Sequence, residues 1–190
     1  MKLLEQKIMA EGKVYPGDVL KVGSFLNHKI DVDFLCKVGE EFYHLFKDCD
    51  VNKILTIEAS GIGVACLTAQ FFHCPVLFAK KAKTSNLSND VYEATAHSYT
   101  HNTDSVIRVA KEYLSADDRV LIVDDFLANG CAMAALIELC GQAGATVVGC
   151  GAVIEKAYQN GGKLLRDKGI RVESLARIAS MSPEDGIRFC

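Results

Sequence analysis

Val120-Leu121-Ile122-Val123-Asp124-Asp125-Phe126-Leu127-Ala128-Asn129-Gly130-Cys131-Ala132 decides the reading of this chain. Four consecutive aliphatic residues predict a parallel strand covered on both faces, because apolar–polar alternation is lost when neither face meets water. Two acids follow at the C-terminal end, where open α/β sheets present their ligands. Next comes a loop of small residues, and then the helix-forming stretch Met133 to Leu139. Small side chains let backbone N–H groups approach an anion, and a helix N-terminus adds partial positive charge. Adjacent carboxylates suit ribose hydroxyls or a hydrated Mg²⁺. The chemistry fits a sugar that bears a terminal phosphate. An ordinary strand with solvated acids at its end shares the acid pair but not the whole pattern.

The same strand, loop and helix rhythm recurs along the chain. Lys53–Ile57 and Val76–Ala79 are predicted strands, Val64–Phe72 a helix between them, and Ala132–Gly141 and Val147–Ile154 a helix and strand after the quoted stretch. Val106–Tyr113 fits either an edge strand or a helix. Strands alternating with helices imply a mostly parallel sheet with right-handed crossovers. Before this core, residues 1–12 predict a short helix ended by Gly12, and Asp33–Lys47 shows helical apolar spacing. Between them Pro16-Gly17 predicts a turn, with short strands expected at Val19–Val22 and Ser24–Phe25.

Composition bounds the function. The chain has 190 residues and a net charge of −3, which offers no basic surface for nucleic acid. No apolar run reaches the roughly 20 residues of a membrane span, and the N-terminus lacks a signal-like apolar segment. We therefore expect a soluble, cytoplasmic protein without nucleic-acid or membrane partners. The eight cysteines are scattered with no CxxC pair, which argues against a zinc site and predicts no protein-held metal. Cys131 falls in the phosphate loop and is read there as a small side chain rather than a nucleophile.

Two further segments carry chemistry. Glu58-Ala59-Ser60-Gly61-Ile62-Gly63 places small residues between a strand end and a helix start, a second anion-suited turn. Lys80, Lys81 and Lys83 lead into Thr84–Thr103, rich in Ser, Asn, Thr, Asp and His; a loop that long without structure is usually functional or disordered. His97 and His101 have the spacing of a helical metal pair, but Ser98, Tyr99 and Thr100 between them are poor helix formers.

The acid-pair stretch resembles the phosphoribosyl-diphosphate (PRPP) motif of type I phosphoribosyltransferases. The resemblance implies an α/β fold: a mostly parallel, Rossmann-like sheet flanked by helices, with a small N-terminal hood. It implies one domain over 1–190, with the hood near 1–35 and a flexible lid near 80–104. By resemblance, Asp124 and Asp125 are the catalytic acids on the ribose hydroxyls, and Ala128, Asn129, Gly130, Cys131 and Ala132 hold the 5-phosphate. Asn129 stands where that loop commonly carries a hydroxyl residue. Ala59, Ser60, Gly61 and Lys81 are assigned to pyrophosphate, Lys81 in its own site or across a homodimer interface. The lid would shield the reaction from water.

Leu20–Asp31, Thr56–Gly63, Phe78–Thr84 and Val153–Gly161 narrow the resemblance to the short bacterial xanthine phosphoribosyltransferases. It implies that Leu20, Asn27 and Lys156 contact xanthine, that the product is xanthosine 5′-monophosphate, and that Mg²⁺ arrives with PRPP. Lys156 can donate to a 6-oxo group but cannot accept from an amino group, which disfavours adenine. Other 6-oxopurines, or orotate, remain alternatives at the same site. A PRPP-sensing regulator would carry an added winged-helix domain and a basic face, which this chain lacks. A dinucleotide-binding enzyme would show GxGxxG after its first core strand.

Overall fold

The acid-pair stretch is a strand that runs into a helix in the computed structural model, which describes residues 1–81, 90–98 and 103–190. In chain order, α1 (Lys2–Glu11) leads to a hairpin of β1 (Lys13–Tyr15) and β2 (Val19–Lys21), then α2 (Val32–Phe46). The core continues with β3 (Lys53–Ile57), α3 (Gly61–Phe72), β4 (Val76–Ala79), β5 (Val91–Ser98) and β6 (Thr103–Ala110). It closes with β7 (Arg119–Leu127), α4 (Cys131–Ala143), β8 (Thr146–Lys156), α5 (Gly161–Asp167), β9 (Val172–Ser182) and β10 (Gly186–Phe189).

The main sheet has the order β10-β9-β8-β7-β3-β4, with β10 alone antiparallel to its neighbour. Successive core strands leave β3 first toward β4 and then in the opposite direction toward β7, β8 and β9. The switch point therefore lies between β3 and β7, where α/β sheets open a crevice beyond the strand ends. Burial explains why β7 reads as an unbroken aliphatic run. Leu121 and Val123 pack with α1, α2 and the hood through residues such as Leu4, Phe25 and Phe42. Val120 and Ile122 pack on the other face with Ile107, Leu136 and Leu139. Neither face meets water.

The hood is fastened to this core. Phe25 and Leu26 are both fully buried within the cluster that holds Leu4, Ile8 and α2. Lys7 bonds Asp31 at 2.8 Å, and Asp31 accepts from the Phe34 amide as the N-cap of α2. Two neighbouring buried side chains cannot belong to a strand with one buried face. Accordingly residues 23–27 form a π-helical turn rather than the strand expected at Ser24–Phe25. The Pro16-Gly17 turn does join two strands, β1 and β2.

Three further expectations are corrected. Asp124 and Asp125 lie inside β7, because pairing with β8 continues through Leu127↔Glu155 although pairing with β3 stops at Ile122. The stretch Thr84–Thr103 is not structureless: Val91–Ser98 is a strand antiparallel to β6, and its buried Ala94 sits in the second core. His97 therefore falls on a strand, while His101, like 82–89 and the rest of 99–102, lies outside the described residues. Val106 onward resolves as strand to Ala110, followed by a short 3₁₀ turn. Finally, α5, β9 and β10 extend a sheet that the sequence reading ended at Ile154.

Candidate active site

Two strand ends deliver their helices to one cleft. After β3 the chain turns through Glu58, Ala59 and Ser60 into α3, and after β7 it turns through Ala128–Gly130 into α4. The cleft between them has a volume of about 250 Å³ and is lined by Ser60, Lys81, Asp124, Asp125, Asn129, Cys131 and Ala132, with Glu58 beside them. Gly61 opens α3 directly after Ser60. A Cβ there would lie 2.1 Å from Thr56 Oγ1 and 2.7 Å from Asp124 Oδ1, so only glycine lets α3 start this close to the acid.

The acids are held by backbone and hood. The Asp125 amide donates to Asp124 Oδ1 and the Phe126 amide to Asp125 Oδ1, each at 3.0 Å. Asn27 of the hood donates from Nδ2 to Asp125 Oδ2, also at 3.0 Å. Both acids are almost fully buried. Burial, reinforced by the charge of Asp125, holds the Asp124 carboxyl well above the ordinary carboxylate range; Lys81 opposes this weakly. The Lys81 amide donates to Glu58 Oε1 at 2.5 Å, and Lys80 bridges Arg108 through two backbone bonds. Those contacts fix where the segment after β4 leaves the sheet.

In the second loop, Gly130 adopts φ +83°, and Asn129 Oδ1 accepts from the Cys131 amide at 3.1 Å. Asn129 thus satisfies the first amide of α4, whose N-cap position is Gly130. Burial raises the Cys131 thiol above its usual value, which keeps it neutral and unsuited to nucleophilic attack.

A second cavity, about 290 Å³, opens on the β8 side between the hood turn and the end of β7. Leu20, Phe126 and Lys156 form its walls, with Asp18 and Gln159 at the edge. Lys156 Nζ donates to the Asp18 carbonyl at 2.5 Å and lies 5.9 Å from the Phe126 ring centroid. Burial lowers the Lys156 pKa, with the Asp18 charge opposing. Its sequence neighbour does not neutralise it. Glu155 is buried and bonded at 2.8 Å by both guanidinium nitrogens of Arg166, with Arg177 at 3.2 Å.

With this geometry in view, the likenesses to known proteins are specific. Residues 37–175 match the family model described as the phosphoribosyl transferase domain. The chain belongs to the phosphoribosyltransferase family. Among its relatives, a xanthine phosphoribosyltransferase of Lachnoclostridium phytofermentans is 50% identical over 98% of this chain and 96% of its own. Xanthine phosphoribosyltransferase 1 of Clostridium perfringens strain 13 is 54% identical over 94% of each. The fold resembles adenine phosphoribosyltransferase of Trypanosoma brucei, with a TM-score of 0.79 at 19% identity over 96% of this chain and 83% of that one. The enzyme of Giardia lamblia gives 0.75 at 24% identity over 92% and 97%.

Within this phosphoribosyltransferase the residues singled out from sequence divide by place. Ser60, Lys81, Asp124, Asp125, Asn129, Cys131 and Ala132 share the first cleft. Leu20, Lys156 and Ala128 share the second cavity. Gly61 and Gly130 are backbone spacers, and the Ala59 peptide joins the first cleft's turn. Asn27 stands with the acids rather than with Leu20 and Lys156. Sequence reasoning missed Glu58, which was in the quoted motif without a role, and Phe126, hidden as one hydrophobic of the run. It also missed Ser105 and Ala96, brought to the cleft by the β5–β6 hairpin. A cross-strand signal in 91–98 was the only available pointer to them.

Proposed function

We propose that this phosphoribosyltransferase transfers the 5-phosphoribosyl group of PRPP to N9 of xanthine, forming xanthosine 5′-monophosphate and pyrophosphate in cytoplasmic purine salvage. The observation that carries the base assignment is Lys156, a half-buried cation beside Leu20 and Phe126 in the second cavity, whose acidic neighbour is already taken by two arginines. Its ammonium meets the oxygen of a 6-oxopurine and favours an anionic base. Relatives of 50–54% identity that bear the xanthine name support the same choice. Leu20 supplies an apolar wall, and Asn27, bonded to Asp125 outside that cavity, would meet the base only at the acid end of the site.

On this reading Asp124 and Asp125 receive the ribose hydroxyls, and Ala128 to Ala132 cradle the 5-phosphate at the start of α4. Ala59, Ser60, Gly61 and Lys81 receive the pyrophosphate. The C1′–oxygen bond to pyrophosphate breaks as the C1′–N9 bond forms, through an oxocarbenium-like transition state. Catalysis then rests on positioning and on charge placement in a shielded cleft.

Mg²⁺ fits as a passenger of the diphosphate. Three acids, Glu58, Asp124 and Asp125, line the first cleft against one lysine, Lys81, among the described residues. The diphosphate oxygens of PRPP are themselves hard donors suited to Mg²⁺, which supports a cation delivered with substrate. Bound there, the cation would neutralise diphosphate charge, with Asp124 and Asp125 the nearby residues to face it. The enzyme acts as a homodimer in this proposal, with Lys81 serving its own cleft, which it lines, or that of the neighbouring subunit. No helix among the described residues is long and apolar enough to cross a membrane.

Steady-state kinetics with PRPP and each of xanthine, guanine, hypoxanthine and adenine test the proposal. Xanthine is expected to give the highest kcat/KM and adenine almost none. Preference for guanine or hypoxanthine would move the assignment within the 6-oxopurines, and comparable adenine turnover would overturn it.

A further inference from the structure

Behind the phosphate loop lies a second tier of residues that no substrate contact explains. The first residues of α5, Gly161 and Gly162, are wedged between that loop and the buried Glu155. A Cβ on Gly161 would lie 2.4 Å from the Ala128 carbonyl oxygen and 2.5 Å from both Asn129 C and Gly130 N. The Gly161 amide also donates to the Ala128 carbonyl at 3.1 Å. From the other side, a Cβ on Gly130 would lie 2.9 Å from Gly161 Cα. Loop and helix start are thus in direct backbone contact, with no room for even a methyl group.

The helix start is itself anchored. A Cβ on Gly162 would meet Glu155 Oε1 at 2.2 Å. Arg166, one turn on, binds Glu155 through two parallel hydrogen bonds of 2.8 Å and also donates to the Val172 carbonyl at 3.3 Å. A bidentate guanidinium–carboxylate pair fixes orientation as well as distance. Burial pushes the Glu155 carboxyl up, but the hydrogen bonds from Arg166, the Ser174 hydroxyl and the charges of Arg166 and Arg177 outweigh it and hold its pKa below the ordinary value. Neither Gly161 nor Arg166 lines the cleft around Asp124 and Asp125.

We infer that α5 is a rigid buttress that sets the shape of the 128–132 loop, which makes Gly161 and Arg166 positioning residues for the 5-phosphate of PRPP. The inference rests on the PRPP reading above. It adds a consequence of strand geometry. Glu155 anchors the buttress while the next residue of β8, Lys156, faces the base cavity, so one strand ties the phosphate end of the site to the base end.

Gly161→Ala forces the loop or α5 to move by about an ångström, and misplacements of that size cost up to about a hundredfold in enzymes. Arg166→Lys keeps the charge but loses the fork, a gentler perturbation. Both variants are measured for KM of PRPP and of xanthine, for ribose 5-phosphate affinity by calorimetry, and for folding by circular dichroism. Gly161→Ala is expected to raise KM for PRPP and weaken ribose 5-phosphate at least tenfold, with KM for xanthine within twofold. Arg166→Lys should raise the same two constants about threefold or more. A folded Gly161→Ala protein with unchanged PRPP and ribose 5-phosphate constants overturns the inference. So does a loss of kcat that merely tracks the unfolded fraction. If Gly161→Ala does not fold, Arg166→Lys decides by the same constants. Wild-type protein that fails to use PRPP refutes the functional reading and the buttress together; wild-type turnover beside two indifferent variants refutes the buttress alone.

Discussion

Replacing Lys156 by methionine removes one charge while keeping chain length and apolar stem, and so isolates the ammonium. In the structure Nζ spends one of its three protons on the Asp18 carbonyl at 2.5 Å and retains two for a ligand in the cavity. A hydrogen bond from a charged donor is worth about 1.5–3 kcal/mol, so its loss should lower kcat/KM for xanthine roughly 10- to 150-fold. KM for PRPP should stay within twofold, because Lys156 lies in the β8-side cavity and not in the cleft with the acids. Initial rates with xanthine varied at saturating PRPP, and the reverse, read both constants. The pH dependence adds a second test. Burial lowers the Lys156 pKa below 10.5, so the wild-type rate with xanthine should decline as pH rises through that lowered value. The variant should lose this component of the alkaline limb. For stability the sign is opposite: the buried charge is a cost below the folded pKa and is relieved as pH rises toward 10.5, so Lys156→Met should be no less stable at neutral pH. An unaffected variant, or one whose PRPP constant moves as much as its xanthine constant, would refute the placement of the base.

Asp124→Asn/Asp125→Asn should weaken PRPP binding about tenfold or more in calorimetric titration, since uncharged acceptors make hydrogen bonds roughly half as strong. Because burial holds the Asp124 pKa up, its ionised form costs stability as pH rises through that value; Asp124→Asn should melt higher than wild type at neutral pH, and the gain should vanish below the ordinary carboxyl value of 3.8. Arg166→Met leaves Glu155, 2% exposed, with only Arg177, and should cost about 3 kcal/mol, or roughly 6–12 °C in melting temperature. Mixing inactive Lys81→Ala with inactive Asp124→Asn/Asp125→Asn subunits should restore part of the activity if Lys81 serves its neighbour; activity in a strictly monomeric species by sedimentation would refute the homodimer.

Legibility in the sequence followed how local the determining physics was. Lys53–Ile57 and Val76–Ala79 are legible to the residue, because each is a short β-prone run bounded by a turn residue before it, Asn52 or Pro75, and a charged one after it, Glu58 or Lys80. The acid pair and both small-residue turns were legible for the same reason: their chemistry sits in consecutive residues. The β9 strand was not, since Glu173, Arg177 and Ser180 interrupt its apolar residues near the sheet's edge. Val91–Ser98 was read as loop because its polar composition masked a strand that is stabilised by pairing with β6 and by packing of β5 on α4. The Glu155-Lys156 pair shows the limit most clearly. Adjacent opposite charges invite a salt bridge, yet successive strand residues point to opposite faces, and the partners of Glu155 came from eleven residues on and from the next strand.

The asymmetry of β7 then accounts for why one strand end borders two cavities. Its pairing with β3 ends at Ile122, whereas pairing with β8 runs on to Leu127, so the last residues of β7 overhang the sheet on one side only. On the free side the chain from β3 turns away at Glu58, and α3 and α4 begin facing one another across the acids, an arrangement suited to anions. On the paired side β8 carries Lys156 out to the same level, and the hood turn at Asp18 covers it. The acids therefore stand between the cleft at the starts of α3 and α4 and the cavity at Lys156, because the two neighbours of β7 stop pairing with it at different heights. A change that lengthened β3–β7 pairing would close the cleft without touching any residue of the motif. Gly61 fits the same arrangement, since its missing side chain lets the turn after β3 sit tight against Asp124, where a Cβ would lie 2.7 Å from Oδ1.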